Sequence, residues 1–223
     1  MRSRIMSGLM IVLLALFTVS AVVAKSFGKS PSTPTPISVA GEGSTKGAAL
    51  HDAMRKLWED HITWTRLFIV SALADLPDKG ATTARLLQNQ LDIGNAIKPY
   101  YGDAAGEKLT ALLKTHITTA AELVAAAKAN DTARMTDANK RWYTNADEIA
   151  AFLSGANPKS WPPAEMKQMM HEHLDLTTAE VVAHLKGNWA EDVAAYDKIH
   201  GQILQMADML TTGIINQFPA RFK

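Results

Sequence analysis

From Ala48 onward, apolar residues recur at alternating spacings of four and three in one stretch after another. Leu50, Met54, Leu57, His61, Trp64, Phe68 and Ser71 keep that spacing, and so do Leu109, Leu113, His116, Ala120, Leu123 and Ala127. This period draws a stripe along one face of an α-helix. An isolated amphipathic helix is marginal in water, so the stripes must be buried against one another. No segment alternates with period two over a useful length, so strands do not organise the chain. The expected fold is all-α, an antiparallel up-and-down bundle of about six helices.

Breakers and caps set the expected bounds. A first helix spans Leu50 to Leu76, before Pro77. A second runs from Thr82 to Lys98 and stops at Pro99. A third is capped by Asp103 and continues to Ala129. A fourth is capped by Asp131 and ends near Ser154. A fifth is capped by Ser160 and ends at Gly187, and a sixth runs from about Trp189 to Gln217. The later seams read Met135, Ala138, Trp142, Asn145, Ile149 and Phe152, then Met166, Met170, His173, Thr177 and Val181. The last is Val193, Tyr196, His200, Ile203, Ala207, Leu210 and Ile214.

An internal repeat is visible. His61-Ile62-Thr63 returns as His116-Ile117-Thr118, and Ala121–Ala125 (AELVA) returns as Ala179–Ala183 (AEVVA). These matches suggest three helical hairpins of roughly 55–58 residues, a length at which repeat units occur.

The region before the helices has a different texture. Arg2 and Arg4 precede an uncharged run from Ile5 to Ala24, the pattern of an export signal with small residues at a cleavage position. The same run is about long enough to cross a bilayer if retained. Residues 1–24 are therefore expected to be a signal peptide or membrane anchor, and the Ser/Thr/Pro/Gly-rich residues 25–47 a linker. The bundle domain is expected over residues 48–219. Either fate of the run places the bundle outside the cytoplasm, in the envelope or beyond. Without residues 1–24 the charge falls from +1 to −1, and no basic stripe favours nucleic acid. The absence of cysteine excludes disulfides, thiolate metal sites and c-type haem attachment.

Four histidines carry the chemical interest. His61, His116, His173 and His200 each sit on a seam and near the middle of a different helix, as does Asn145. In an antiparallel bundle such midpoints fall within roughly 5 Å of one level. Neutral imidazoles from facing helices are how bundles hold transition metals, so these four are the expected metal ligands. Asn89, Asn145 and Asp197 are the expected supporting groups; Asp92 and Asn95 would face the same level, and Glu148 could supply a carboxylate. The pattern fits two further readings, a purely structural polar layer that fixes helix register and a pH sensor. Trp64 and Tyr196, one turn from His61 and His200, would be partners within such a layer. Glu180 and His184 read as a surface pair, Arg66 and Arg141 as salt-bridge donors, and Met166, Met169 and Met170 as core. No nucleophile elbow, phosphate loop, dinucleotide fingerprint or zinc-protease motif is present. An enzyme would have to work at the histidine layer, with a metal.

The blocks LWEDHITWTRLFIVSAL, LLQNQLDIGNAIKPYYG, KRWYTNADEIAAFLS, HEHLDLTTAE and YDKIHGQILQMADMLTTGIINQFP resemble a family of small bacterial all-helical proteins. Some of its members carry glycosyltransferase or acetylglutamate kinase names, which no residue here supports. The resemblance covers nearly all of residues 50–219. It implies the helical fold and supplies no mechanism.

Overall fold

A computed structural model describes residues 45–223. The expected signal or anchor, residues 1–24, and nearly all of the linker lie outside the described residues. Six helices follow: α1 Thr45–Leu73, α2 Lys79–Tyr101, α3 Asp103–Lys128, α4 Thr132–Ala156, α5 Pro163–Leu185 and α6 Trp189–Gln217. A 3-10 turn, Pro219–Phe222, ends the described chain. There is no strand among the described residues, and none of their helices is long and apolar enough to cross a membrane.

Several boundaries differ from expectation for local reasons. α1 as described begins at Thr45, inside the expected linker. α2 runs through Pro99 and ends at Tyr101. Proline in a last turn forgoes one backbone bond only, and Gly102 N–H still reaches the Lys98 carbonyl at 2.9 Å. Asp103 is the first residue of α3 rather than its cap. Asp131 does cap α4, accepting from Arg134 N–H at 3.1 Å. Ser160 does not cap α5; Pro162 occupies that position and Pro163 opens the helix.

Each helix packs on the one before it, and α6 returns against α1, so the sequence order closes into a ring. α1 also touches α3 and α5. The connections are short, which makes consecutive helices antiparallel, and the internal repeat groups them as the hairpins α1–α2, α3–α4 and α5–α6.

These three hairpins are built to one pattern. Asp75, Asn130 and Gly187 all have positive φ, 54°, 53° and 71°. Each stands fourteen residues after a histidine, His61, His116 or His173. In each, the next residue's N–H bonds a carbonyl five residues back: Leu76 to Ser71, Asp131 to Ala126 and Asn188 to Ala183, all at 2.9 Å. This is the left-handed helix stop that glycine prefers and Asn or Asp tolerate. Met54, Leu109 and Met166, each seven residues before its histidine, are all 2% exposed or less. The offset between the second and third hairpins is thus 57 residues, and the AELVA/AEVVA match at 58 is out of structural register by one.

Two apolar clusters fill the bundle. The larger contains Met54, Trp58, Leu109, Trp142, Met166, Met170 and Ile203; the smaller contains Phe68, Ile69, Ile117, Val124 and Val181. α2 and α3 cross closely: a Cβ on Gly94 would meet the Gly106 carbonyl oxygen at 2.6 Å, so glycine is required there.

Candidate functional site

His61, His116 and His173 come from the first helix of each hairpin and are 2%, 3% and 4% exposed. The His173 ring centre lies 5.7 Å from that of His61 and 6.4 Å from that of His116. Twenty-nine residues after each histidine, the second helix of the same hairpin brings in a buried carboxamide: Gln90, Asn145 and Gln202. The layer is therefore three histidine–carboxamide pairs at one spacing but of unlike polarity: Asn145 offers its oxygen to His116, Gln90 its N–H to His61, and His173 Nδ1 has no partner among the described residues.

The carboxamides orient the rings. Asn145 Nδ2 donates to the Leu112 carbonyl at 3.1 Å, which leaves its Oδ1 facing His116 Nδ1 at 3.0 Å. That oxygen accepts, so His116 carries its proton on Nδ1 and presents a lone pair at Nε2. Gln202 Nε2 donates to the Met169 carbonyl at 3.0 Å, and its side chain lies against His173. In the first hairpin two residues divide the work. Asn89 Nδ2 donates to the Leu57 carbonyl at 2.9 Å, while Gln90 Nε2 reaches the Leu86 carbonyl, Asn89 Oδ1 and, at 3.4 Å, His61 Nδ1. Leu57, Leu112 and Met169 each stand four residues before their histidine.

Burial dominates the electrostatics. Loss of hydration disfavours the charged ring and holds His61 well below the usual imidazole range, helped by repulsion from His173 and His116. The same cause pushes His116 down to about 3 and His173 to about 4. All three are neutral at pH 7. Trp58 meets His61 edge-on at 5.7 Å between ring centres, and Trp142 lies 5.3 Å from His116. Five buried polar atoms around these rings have no hydrogen-bond partner among the described residues: Trp58 Nε1, Trp142 Nε1, His173 Nδ1, Gln90 Oε1 and Gln202 Oε1.

Not every expected residue joins them. His200 turns to the surface, with 38% of its side chain exposed, and its Nε2 meets Glu59 Oε1 at 2.7 Å. The expected α6 seam is wrong in its first half. Val193 is 53% exposed, and the buried line is Asp192, Ala195, Ile199, Gln202 and Met206. Asp197 and Glu148 are exposed, away from the layer. Asn95 is exposed, and Asp92 accepts from Gln88 rather than facing inward. Trp64 stacks with Arg85 instead of His61, whereas Tyr196 does lie over His200, 6.5 Å between ring centres. Asn89 and Asn145 are buried where expected. Gln90 and Gln202, missed in the periodicity, are identified by the recurring twenty-nine-residue spacing.

A second buried polar group lies about 7 Å further along α1, at 1.5 Å per residue. Arg66 NH1 donates to Glu180 Oε1 at 2.5 Å and to Asp192 Oδ1 at 2.8 Å, and NH2 reaches Asp192 Oδ2 at 3.1 Å. Asp192 Oδ2 also meets His184 Nδ1 at 2.9 Å, and the Arg66 guanidinium lies over the Tyr196 ring. Glu180, expected at the surface, is 2% exposed. Burial pushes its carboxyl up to about 7, against the pull of Arg66. Burial opposes ionisation of Asp192 as well, but its bonds to Arg66 and His184 outweigh it and hold that carboxyl low.

Among the described residues, no three His, Asp or Glu side chains stand as a ready-made metal ligand set. No family model, no curated protein and no solved structure matches the chain.

Proposed function

We propose that the protein is an envelope-located binding or sensing module whose ligand seat is the imidazole layer of His61, His116 and His173, and that the ligand is a single transition-metal ion. The observation that carries this is one histidine from each of three equivalent helices, in ring contact through His173 and neutral at pH 7. Neutral imidazoles are the chemistry zinc, cobalt and copper select, and a carboxamide behind a ring fixes its tautomer as metal sites require. His116 is so fixed by Asn145.

Nitrogens about 2 Å from a zinc ion set their ring centres roughly 5 Å apart. The rings stand at 5.7 and 6.4 Å, so binding would draw them together by about an ångström and tighten the three hairpins on one another. Binding and bundle stability are then one event. Export of residues 45–223 by the apolar run at 5–24 is part of the same proposal.

The test is uptake of Zn2+, Co2+ and Cu2+ by the purified protein, followed by calorimetry and by thermal melts. Stoichiometric uptake with a higher melting temperature, lost in His116→Ala and His173→Ala but kept in His200→Ala, supports the reading. Equal melts with and without metal in every variant would leave the layer a structural register device.

A further inference from the structure

The base of the bundle, opposite the three helix stops, holds an open groove of about 570 Å³. Tyr100 and Phe222 form one wall, their rings stacked with centres 5.8 Å apart, and Leu50 and Pro99 continue the apolar lining. The polar side chains at its edge are basic. Arg221 is exposed, makes no ion pair among the described residues, and lies over Tyr100 at 5.9 Å. Lys46 is exposed too, and its Nζ donates to the Lys223 carbonyl at 3.0 Å, tying the 3-10 turn to α1 and shaping the mouth. No acidic side chain lines the groove.

An apolar floor beneath a cationic rim suits a ligand with a phosphate at one end and hydrocarbon at the other. We infer that this groove takes the phosphate headgroup of an anionic phospholipid, with Lys46 and Arg221 on the phosphate and Tyr100, Leu50 and Phe222 against the glycerol and first methylenes. Placement favours a lipid over a soluble phosphate ester. Lys46 is the second residue of α1, so the chain enters the bundle at the lip of the groove. Exposed Lys and Arg beside an anionic surface each gain roughly fivefold in binding, and aromatic rings with a polar tip suit the headgroup level. The inference rests on the envelope placement and not on the imidazole layer, so either can fail alone.

The experiment is hydrogen exchange on the full chain bound to vesicles of phosphatidylcholine, or of phosphatidylcholine with phosphatidylglycerol, read in peptides covering residues 46–50, 99–103 and 219–223. The neutral vesicles control for attachment by the apolar run. Slower exchange in these peptides only with phosphatidylglycerol is expected. Lys46→Gln with Arg221→Gln should raise the phosphatidylglycerol requirement by roughly twenty-five-fold, the product of two such gains. Both positions are exposed, and an unchanged circular dichroism spectrum establishes that the variant folds. Equal exchange on the two vesicle types, or protection that survives the double substitution, would overturn the proposal. Equal protection by soluble glycerol 3-phosphate would also overturn it, by reassigning the groove to free phosphate esters.

Discussion

The imidazole layer and the Arg66 group bury polar chemistry in the same bundle by opposite means. At the layer, dehydration is met by neutrality: three rings give up charge and take carboxamide partners. At Arg66 it is met by pairing, with one guanidinium held between Glu180 and Asp192. The layer follows the internal repeat and the Arg66 group breaks it. The positions equivalent to Glu180 in the other two hairpins are Phe68 and Leu123, and both pack among apolar side chains. Buried ion pairs rarely stabilise more than a hydrophobic replacement would, so the repeated chemistry is the cheaper solution and the unique one binds α1, α5 and α6 together at a cost.

The difference gives the two regions opposite pH responses. Each layer histidine has a folded pKa below its unfolded value of about 6.5, so its stabilising effect is present above that pH and is lost as the pH falls. Each lost proton equivalence costs about 1.4 kcal/mol per pH unit, roughly 6 kcal/mol for the three at pH 5, comparable to a small domain's whole stability. Urea unfolding between pH 8 and 4.5 should show this loss as the largest effect, and His173→Leu should reduce its slope by one proton. A wild-type stability flat to pH 5 would contradict neutral burial.

Arg66→Met should rank next. It leaves the buried Asp192 carboxylate without that cation and lets Glu180 take up a proton, a loss of about 3 kcal/mol, at the low end for a broken buried pair because Arg66 keeps some solvent contact. Adding Glu180→Gln should restore part of that loss, which the double-mutant cycle in urea would measure. Glu180→Gln alone works through the sign of its shift. A carboxyl whose folded pKa is raised to about 7 contributes fully below its unfolded value and loses that contribution as the pH climbs through 7. The variant should therefore be more stable than wild type at pH 8, on the order of 2 kcal/mol, and nearly equal to it at pH 5. His200→Ala, at a surface pair, should change stability by no more than about 0.5 kcal/mol. A large effect there would return His200 to the layer.

The six helices were legible because their seams and breakers are strong, and His61, His116, His173, Asn89 and Asn145 were legible because they interrupt buried lines. α6 was misread for a physical reason. Its true buried line begins with Asp192, which Arg66 and His184 draw inward, and a hydrophobic period passes over a buried charge in favour of neighbouring Val193. That one-residue error carried His200 into the layer and left Gln202 out. The same partner-dependent burial hid Glu180. The helix stops were partly hidden because two of the three use Asp and Asn in the left-handed region instead of glycine.

The most direct test is a nitrogen-15 NMR spectrum of the histidine rings, recorded from pH 8 to 5 and again with one equivalent of Zn2+. The resonances of His61, His116 and His173 should stay those of neutral imidazole across the range while the protein remains folded, and zinc should shift all three together. A midpoint near 6.5 for any of the three, or zinc shifts confined to other histidines, would contradict a neutral, metal-binding layer.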